Sequence, residues 1–433
     1  MSREGATEPR QLSRMERVVV YAGLVLALGP VLPSTRAYGV GTGPDQQPVF
    51  QAAWITIYAL ILVIAVRRGV ALRTLVAQNA ALLLPVACAV VSISWSDAPA
   101  LTARRVVALV LTTAFGLVIA KVMSLHELFN AVCFALGLLL VASMITSVVV
   151  PSYGIDHLRG GAWQGVFATK NELGRAAAFG VGVWSIRGVT QRFRWPSVFM
   201  IGVAFVLLIR SDSRTSFAVA AAAIVFAILV PLLRAQWALA VAGSMFLVAS
   251  LGVFGLWVVT HQETVLSTFN ATPTLTGRTQ IWSAAWQMIR ERPWFGYGYN
   301  AFWRGANGPS LRVWNAIGST PPDAHNGVLD VWLDLGVVGV ATLALTMAIA
   351  FRRAWRLLRR EGTNLNAWGV FFIVFLILTN LTESTFLVRN SIFWILLIAL
   401  ASQARSLVAP APAPAPAPAP EPARVLSSRP LTS

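Results

Sequence analysis

Charge is what this chain has least of. Aspartate, glutamate, lysine and arginine make up 12% of its 433 residues, about half the share of ordinary soluble domains, which is too little to coat a globule of this size in water. Lysine is nearly missing, since Lys121 and Lys170 are the only two among 34 basic residues. Cysteine is scarce as well. Cys88 and Cys133 both lie inside apolar runs, so they form no disulfide framework and no thiolate metal site, which excludes a disulfide-stapled secreted scaffold. The net charge of +17 would by itself fit a nucleic-acid partner. The basic residues, however, stand singly or in short clusters between apolar runs, as they do in a bilayer protein.

What the sequence has in abundance is apolar length: 56% of the residues are hydrophobic. A helix crosses the hydrocarbon core with about 20 apolar residues, because lipid offers no partner to an unpaired backbone group. On that measure the chain reads as an all-α polytopic membrane protein of about twelve spans. These lie near residues 18–34, 51–66, 79–95, 106–122, 128–150, 172–187, 196–210, 215–233, 237–260, 328–350, 368–383 and 387–403. No small-residue cleavage site follows the first span, so no removable signal peptide is expected. Arginines sit in the N-terminal tail (Arg3, Arg10, Arg14, Arg17) and in later even-numbered connections (Arg67, Arg68, Arg73; Arg187, Arg192, Arg194; Arg352, Arg353, Arg356, Arg359, Arg360). The positive-inside rule makes that side cytoplasmic. The organisation follows as a cytoplasmic tail 1–17, spans one to nine over 18–260, an outer loop 261–327, spans ten to twelve over 328–403, and a cytoplasmic tail 404–433. The run VAPAPAPAPAPAPEPA in that last tail is low-complexity and reads as an extended, disordered spacer.

Two outer connections hold arginine where topology disfavours it. One, 151–171, carries Arg159 and Lys170; the other, 261–327, carries Arg278, Arg290, Arg292, Arg304 and Arg312. Within the long loop TLTGRTQIWSAAWQMIRERP reads as a helix, with Thr276 as N-cap, an apolar stripe of Ile281, Trp282, Ala285, Trp286 and Ile289, and Pro293 as its stop. Such a helix is expected to lie along the membrane surface with its tryptophans down. Arg278 in its first turn adds a guanidinium to the positive helix end, which suits a phosphate; an arginine snorkelling to headgroups has the same spacing. Gly296 and Gly298 then allow a tight reversal. His325 and Asn326 stand where the loop re-enters the membrane, and an imidazole there can take a proton from a hydroxyl at neutral pH; capping or packing is the other reading. Asp330 and Asp334 follow at four-residue spacing, as functional suspects or as partners of an arginine. Among the outer acids (Asp45, Asp97, Asp156, Asp212, Glu263, Glu291, Asp323) no two form a DxD pair for a divalent cation, so a phosphate handled outside must be neutralised by arginine. Arg210 and Arg214, flanking a Ser-Asp-Ser turn, are placed for that, since guanidinium groups bind phosphate oxygens bidentately; they are equally readable as turn residues. Five tryptophans of the long loop fit either sugar stacking or an interfacial belt.

Four segments, GVFATKNELGR (165–175), SDSRTSFAVA (211–220), TGRTQIWSAAWQMIRERPWFGYGYNAF (276–302) and AHNGVLDVWLDLGVVG (324–339), taken in this order resemble the O-antigen ligase and polysaccharide polymerase family of multi-span enzymes. The resemblance covers roughly residues 80–400. It implies a metal-independent membrane glycosyltransferase at the outer face of the bacterial plasma (inner) membrane. Such enzymes transfer or polymerise glycan from a polyprenyl diphosphate carrier onto an acceptor hydroxyl, and no cofactor is called for. Arg214 matches the arginine of the SR motif and Arg278 that of the GR motif, both implied to hold the carrier diphosphate. His325 matches the histidine of the HN motif, implied to activate the acceptor. Arg210, Lys170, Asn171, Arg175 and Asn326 complete the expected substrate-binding set. The Lys170-Asn171 pair resembles the variant found in exopolysaccharide polymerases, which favours polymerase over ligase. Asp334 stands where the family often has glutamate. The competing class is a multi-span transporter or lipid-linked oligosaccharide flippase, but no second half mirrors the long loop, as an inverted or parallel repeat would require.

Overall fold

The computed structural model describes residues 12–30, 48–157, 160–190, 194–235, 277–361, 363 and 365–408. The ninth predicted span, Thr276, the start of the long outer loop, Arg159 and the Ala/Pro tail beyond residue 408 lie outside these described residues. The protein is mostly helical. Its helices run α1 Arg14–Ala27, α2 Pro48–Arg67, α3 Leu72–Gln78, α4 Leu84–Val91, α5 Pro99–Val122, α6 Leu125–Val149, α7 Lys170–Thr190, α8 Trp195–Arg210, α9 Arg214–Ala235, α10 Arg278–Glu291, α11 Ser310–Ile317, α12 Gly327–Glu361, α13 Ala367–Thr379 and α14 Ile392–Val408. One two-stranded antiparallel ribbon, β1 Ile155–Asp156 and β2 Ala162–Trp163, pairs Ile155 with Trp163.

Among the described residues α2, α5, α6 and α12 are long and apolar enough to cross a membrane, and α3 with α4 makes a fifth candidate if its 87° bend is read as one broken span. The shorter apolar helices α8, α13 and α14 occupy other predicted spans without reaching the same length. Two expected boundaries are corrected. Predicted spans 368–383 and 387–403 left a three-residue link, whereas α13 stops at Thr379 and α14 starts at Ile392. The chain turns there because Asn380 Oδ1 takes the Thr385 and Phe386 amides at 2.9 and 3.0 Å, an alternative to continuing the helix ladder.

Helix α7 runs through the packed interior, and its composition explains how. In lipid, helices associate by close packing rather than by escape from water, so small residues belong at their contacts. The run AAAFGVG supplies them: Ala176, Ala177, Ala178, Gly180 and Gly182 are buried. A Cβ on Gly182 would lie 2.1 Å from the Phe371 ring on α13. Phe179 beside it meets Phe371, Phe372, Phe375 and Phe393 at centroid distances of 4.9–6.3 Å. This aromatic cluster fixes α7 against α13 and α14, and so fixes the ends of those helices.

Helix α12 is broken at Gly336, where φ is +66° and ψ −168°. A break inside an apolar span exposes amides and carbonyls that lipid cannot satisfy. Here the loop PWFGYG pairs with them instead. Val337 N donates to Pro293 O at 2.8 Å, while Tyr297 N and Gly298 N donate to Leu333 O and Asp334 O at 2.8 Å each. Gly296 and Gly298 take φ +65° and +99°, with the space for a Cβ already filled by Leu333 O and the Ser96 side chain, so the glycines read as a reversal in the sequence do form one. A Cβ at Gly336 would lie 2.1 Å from Trp294 O. Gly336→Ala is therefore expected to cost about 2–4 kcal/mol, from left-handed strain plus overpacking, and to lower the thermal midpoint of the detergent-solubilised protein. An unchanged midpoint would show that the loop does not depend on this contact.

Candidate functional site

The site is assembled at the N-terminal end of α7 and the loops that meet it. Lys170 opens α7, and its Nζ donates to Asp212 Oδ2 at 3.0 Å. Asp212 belongs to the turn between α8 and α9, at φ +46°. One helical turn on, Gly174 lies against the Ser211, Ser213 and Ser216 side chains, so a Cβ there would approach Ser213 to 2.8 Å. Arg214 follows at the start of α9. It is exposed and makes no hydrogen bond or ion pair among the described residues. Arg210 on the other side of the turn lays its guanidinium over the Trp163 ring, 4.8 Å from the centroid. Asn171 is half-buried beside Lys170.

The next residue on α7 leads to a carboxylate that the sequence reading missed. Arg175 Nη1 lies 3.5 Å from Glu383 Oε2, and Arg278 Nη2 donates to Glu383 Oε1 at 3.0 Å. Glu383 is 8% exposed and sits in the turn between α13 and α14, the stretch that hydropathy assigned to a span. Eight of the twelve residues 380–391 are polar or charged, which was the available signal. Arg278 is also 8% exposed. Its remaining N–H groups have no partner among the described residues, and none of those nitrogens is sealed from solvent. A guanidinium carries five donors in a fixed fork, so Arg278 keeps donors that no described residue accepts.

The histidine turn is tied to the same loop. Ser384, adjacent to Glu383, donates to Asp330 Oδ2 and lies 3.4 Å from Asp323 Oδ1. Asp330 also receives the Ala324 amide at 3.1 Å and the Trp303 indole at 2.7 Å. Asp334 receives the Asn300 amide at 2.8 Å. Neither acid forms a salt bridge with an arginine among the described residues, unlike the expected arginine pairing; Asp330 holds loops with both oxygens, while Asp334 leaves Oδ1 buried without a hydrogen bond. His325 takes φ +48°, a region few non-glycine residues enter. Asp323 Oδ1 accepts its amide at 2.8 Å and lies 3.3 Å from its Nδ1, close but without the alignment of a hydrogen bond. Asn326 is the N-cap of α12: its Oδ1 accepts the Val328 and Leu329 amides at 3.0 and 3.1 Å, and its Nδ2 donates to Leu381 O at 3.3 Å. That oxygen is thus committed to capping.

Helix α10 spans both halves. Its N-cap is Gly277 at φ +82°, in place of the expected Thr276. Arg278 and Trp282, four residues apart and hence on one face, grip Glu383 and the Ala324 carbonyl, the latter at 2.9 Å. The expected stripe is buried at Ile281, Ala285 and Ile289 against α11 and α12, while Trp286 is half-exposed and meets Trp332 edge-on at 5.3 Å. At the far end, Arg312 forks onto Glu291 at 2.7 and 2.6 Å and holds that carboxyl below its usual range near 4.5. A depressed carboxyl contributes its stabilisation above the unfolded value and loses it as pH falls through the folded one. Protection of the α11 amides, taken relative to their intrinsic exchange at each pH, is expected to fall as pH drops below about 4.5; unchanged protection would mean that the exposed pair holds nothing.

Residues 198–344 match the O-antigen ligase family. The chain is 26% identical over 287 residues to an exopolysaccharide production protein, ExoQ, of Rhizobium meliloti (strain 1021), covering 61% of this chain and 62% of that one. It is 30% identical over 122 residues to an O-antigen ligase of Pseudomonas aeruginosa PAO1, covering 28% and 27%. Over these stretches the chain is similar to proteins of the O-antigen ligase and polysaccharide polymerase-like family. It spans less than two thirds of the length of either relative. The stretch matching the ligase family holds Arg210, Arg214, Arg278, His325 and Asn326, and leaves Lys170, Asn171, Arg175 and Glu383 outside it.

Proposed function

We propose that this protein is a membrane glycosyltransferase of the bacterial inner membrane. It moves glycan from a polyprenyl diphosphate donor to an acceptor hydroxyl at the outer face. The observation that carries this reading is the joining of two arginines on Glu383, through Ser384 and Trp282, to the turn that presents His325. An open guanidinium and an imidazole held by one set of loops are what a displacement at an anomeric carbon needs. The acceptor oxygen attacks that carbon, and the bond to the diphosphate oxygen breaks. Its electron pair leaves with the diphosphate, while the hydroxyl proton passes to His325. Asp323 beside Nδ1 favours a proton there and leaves Nε2 as the base. Arg278 and Arg214 stabilise the charge that develops on the leaving group, the task a divalent ion performs in other transferases.

Chain extension is favoured over single attachment by the Lys170-Asn171 pair and by the longer match to a relative named for exopolysaccharide production. The broken α12 is a feature transporters share, but here the break is filled by residues 293–298 rather than opening on a path. Purified protein incubated with a polyprenyl-diphosphate oligosaccharide and an acceptor is expected to release free carrier diphosphate. A transporter would leave that bond intact, and intact donor after long incubation would reject the proposal.

A further inference from the structure

Glu383 sits where the arginine clamp is weakest as a folding problem. Two guanidinium groups drawn into a poorly hydrated site repel one another and lose their water, and each costs several kcal/mol unless a counter-charge is present. Arg278 comes from α10 and Arg175 from α7, elements far apart in the chain, so neither side chain is placed by its own helix relative to the other. One carboxylate meets both, with Oε1 on Arg278 and Oε2 on Arg175. The carboxylate is in turn fixed. Asn380 pins the turn through the Thr385 and Phe386 amides, and the Gly327 amide donates to Asn380 O at 3.0 Å. Gly327 lacks a side chain for a reason: a Cβ would stand 2.0 Å from Asn380 Oδ1. Ser384 ties the next residue to Asp330. The turn is therefore held on both flanks of Glu383 by contacts independent of the arginines.

We propose that Glu383 is a positioning residue: it stays bound to Arg278 and Arg175 while their remaining N–H groups receive the donor diphosphate, which makes Arg175 the second arm of the clamp. This rests on the transferase reading above and deepens it. Each guanidinium gives one N–H to Glu383 and keeps others for phosphate oxygens, so carboxylate and diphosphate bind side by side. The contrasting arrangement is a placeholder, in which Glu383 occupies the ligand's position and must be displaced.

The two arrangements separate by the sign of one measurement. Inorganic pyrophosphate is used as the probe in thermal-shift titration of the full-length protein in nanodiscs, with Glu383→Gln and Glu383→Ala compared with wild type. A positioning residue predicts pyrophosphate binding weakened about tenfold or more in Glu383→Ala, with Glu383→Gln intermediate because its amide oxygen still accepts one N–H. Donor KM should rise in parallel while kcat at saturation falls less. Tighter pyrophosphate binding in either variant would overturn the proposal in favour of a placeholder. Wild-type binding and KM in both variants would overturn it outright. Glu383→Gln guards against loss of fold, since it preserves side-chain volume. If Arg278→Ala abolishes turnover while the Glu383 variants behave as wild type, the clamp stands and the role of Glu383 falls; if Arg278→Ala turns over normally, the clamp itself is overturned, whereas donor left intact by the wild type is what would fail the transferase reading.

Discussion

Arg278→Ala should lower transfer from a polyprenyl-diphosphate donor by about 10²–10³, the usual consequence of deleting one preorganised donor aimed at developing negative charge. The geometry gives this residue the largest share. It is the most buried arginine of the site, 8% exposed, it keeps N–H groups that no described residue accepts, and it stands at N1 of α10, where the helix end adds positive potential. Arg278→Lys keeps the charge and loses the fork, so it should fall between the two. Deleting the guanidinium also leaves Glu383 with Arg175 alone, at a destabilisation of about 1–3 kcal/mol, so the fold must be read separately. Initial rates in liposomes, normalised to protein that has a cooperative melt, provide that control. Turnover within twofold of wild type in the alanine variant would remove Arg278 from the reaction.

The distinction between what the chain announces in one dimension and what it does not is visible at single residues. Gly296, Gly298, Arg278 and His325 stand out in sequence because each violates the local rule: glycine next to aromatics, arginine on the side where the expected topology disfavours it, and histidine at the expected mouth of a span. The structure agrees at the two glycines, by positive φ; Arg278 is buried and His325 stands in a left-handed turn. Glu383 does not stand out by such a rule. Its function depends on a turn between two helices, each shorter than a full crossing, and hydropathy averaged over a long window merges that turn into its apolar neighbours. Asp330 and Asp334 mislead in the opposite way. An acid within a span suggests an arginine partner, but Asp330 meets a backbone amide, an indole and a hydroxyl, while Asp334 takes a backbone amide on one oxygen and leaves the other without a hydrogen bond, and such partners leave no charge pattern in the sequence. Asn326 has the family's spacing and yet caps a helix with one end of its amide, because the residue before a helix must meet that need whatever else it does.

His325 is the second residue whose loss should be large, and the backbone dictates which variant to make. At φ +48° alanine is strained, whereas asparagine tolerates the left-handed region. His325→Asn therefore removes the base while leaving the turn, and it should reduce turnover by about 10²–10⁴, the range a general base supplies. Donor KM should change little, since the arginines that hold the diphosphate are untouched. Asp323→Asn asks a finer question. The carboxylate accepts the His325 amide at 2.8 Å and faces Nδ1 at 3.3 Å; asparagine can retain the first contact but not the charge that favours a proton on Nδ1. Its expected effect is a fall in kcat smaller than that of His325→Asn, and the double variant should be no worse than His325→Asn alone, because an orienting group has nothing left to orient. Independent, multiplying losses would mean that Asp323 acts elsewhere than through the imidazole. Normal turnover in His325→Asn would leave the arginines as a phosphate site without a base, and transfer to a hydroxyl would then require a different proton acceptor.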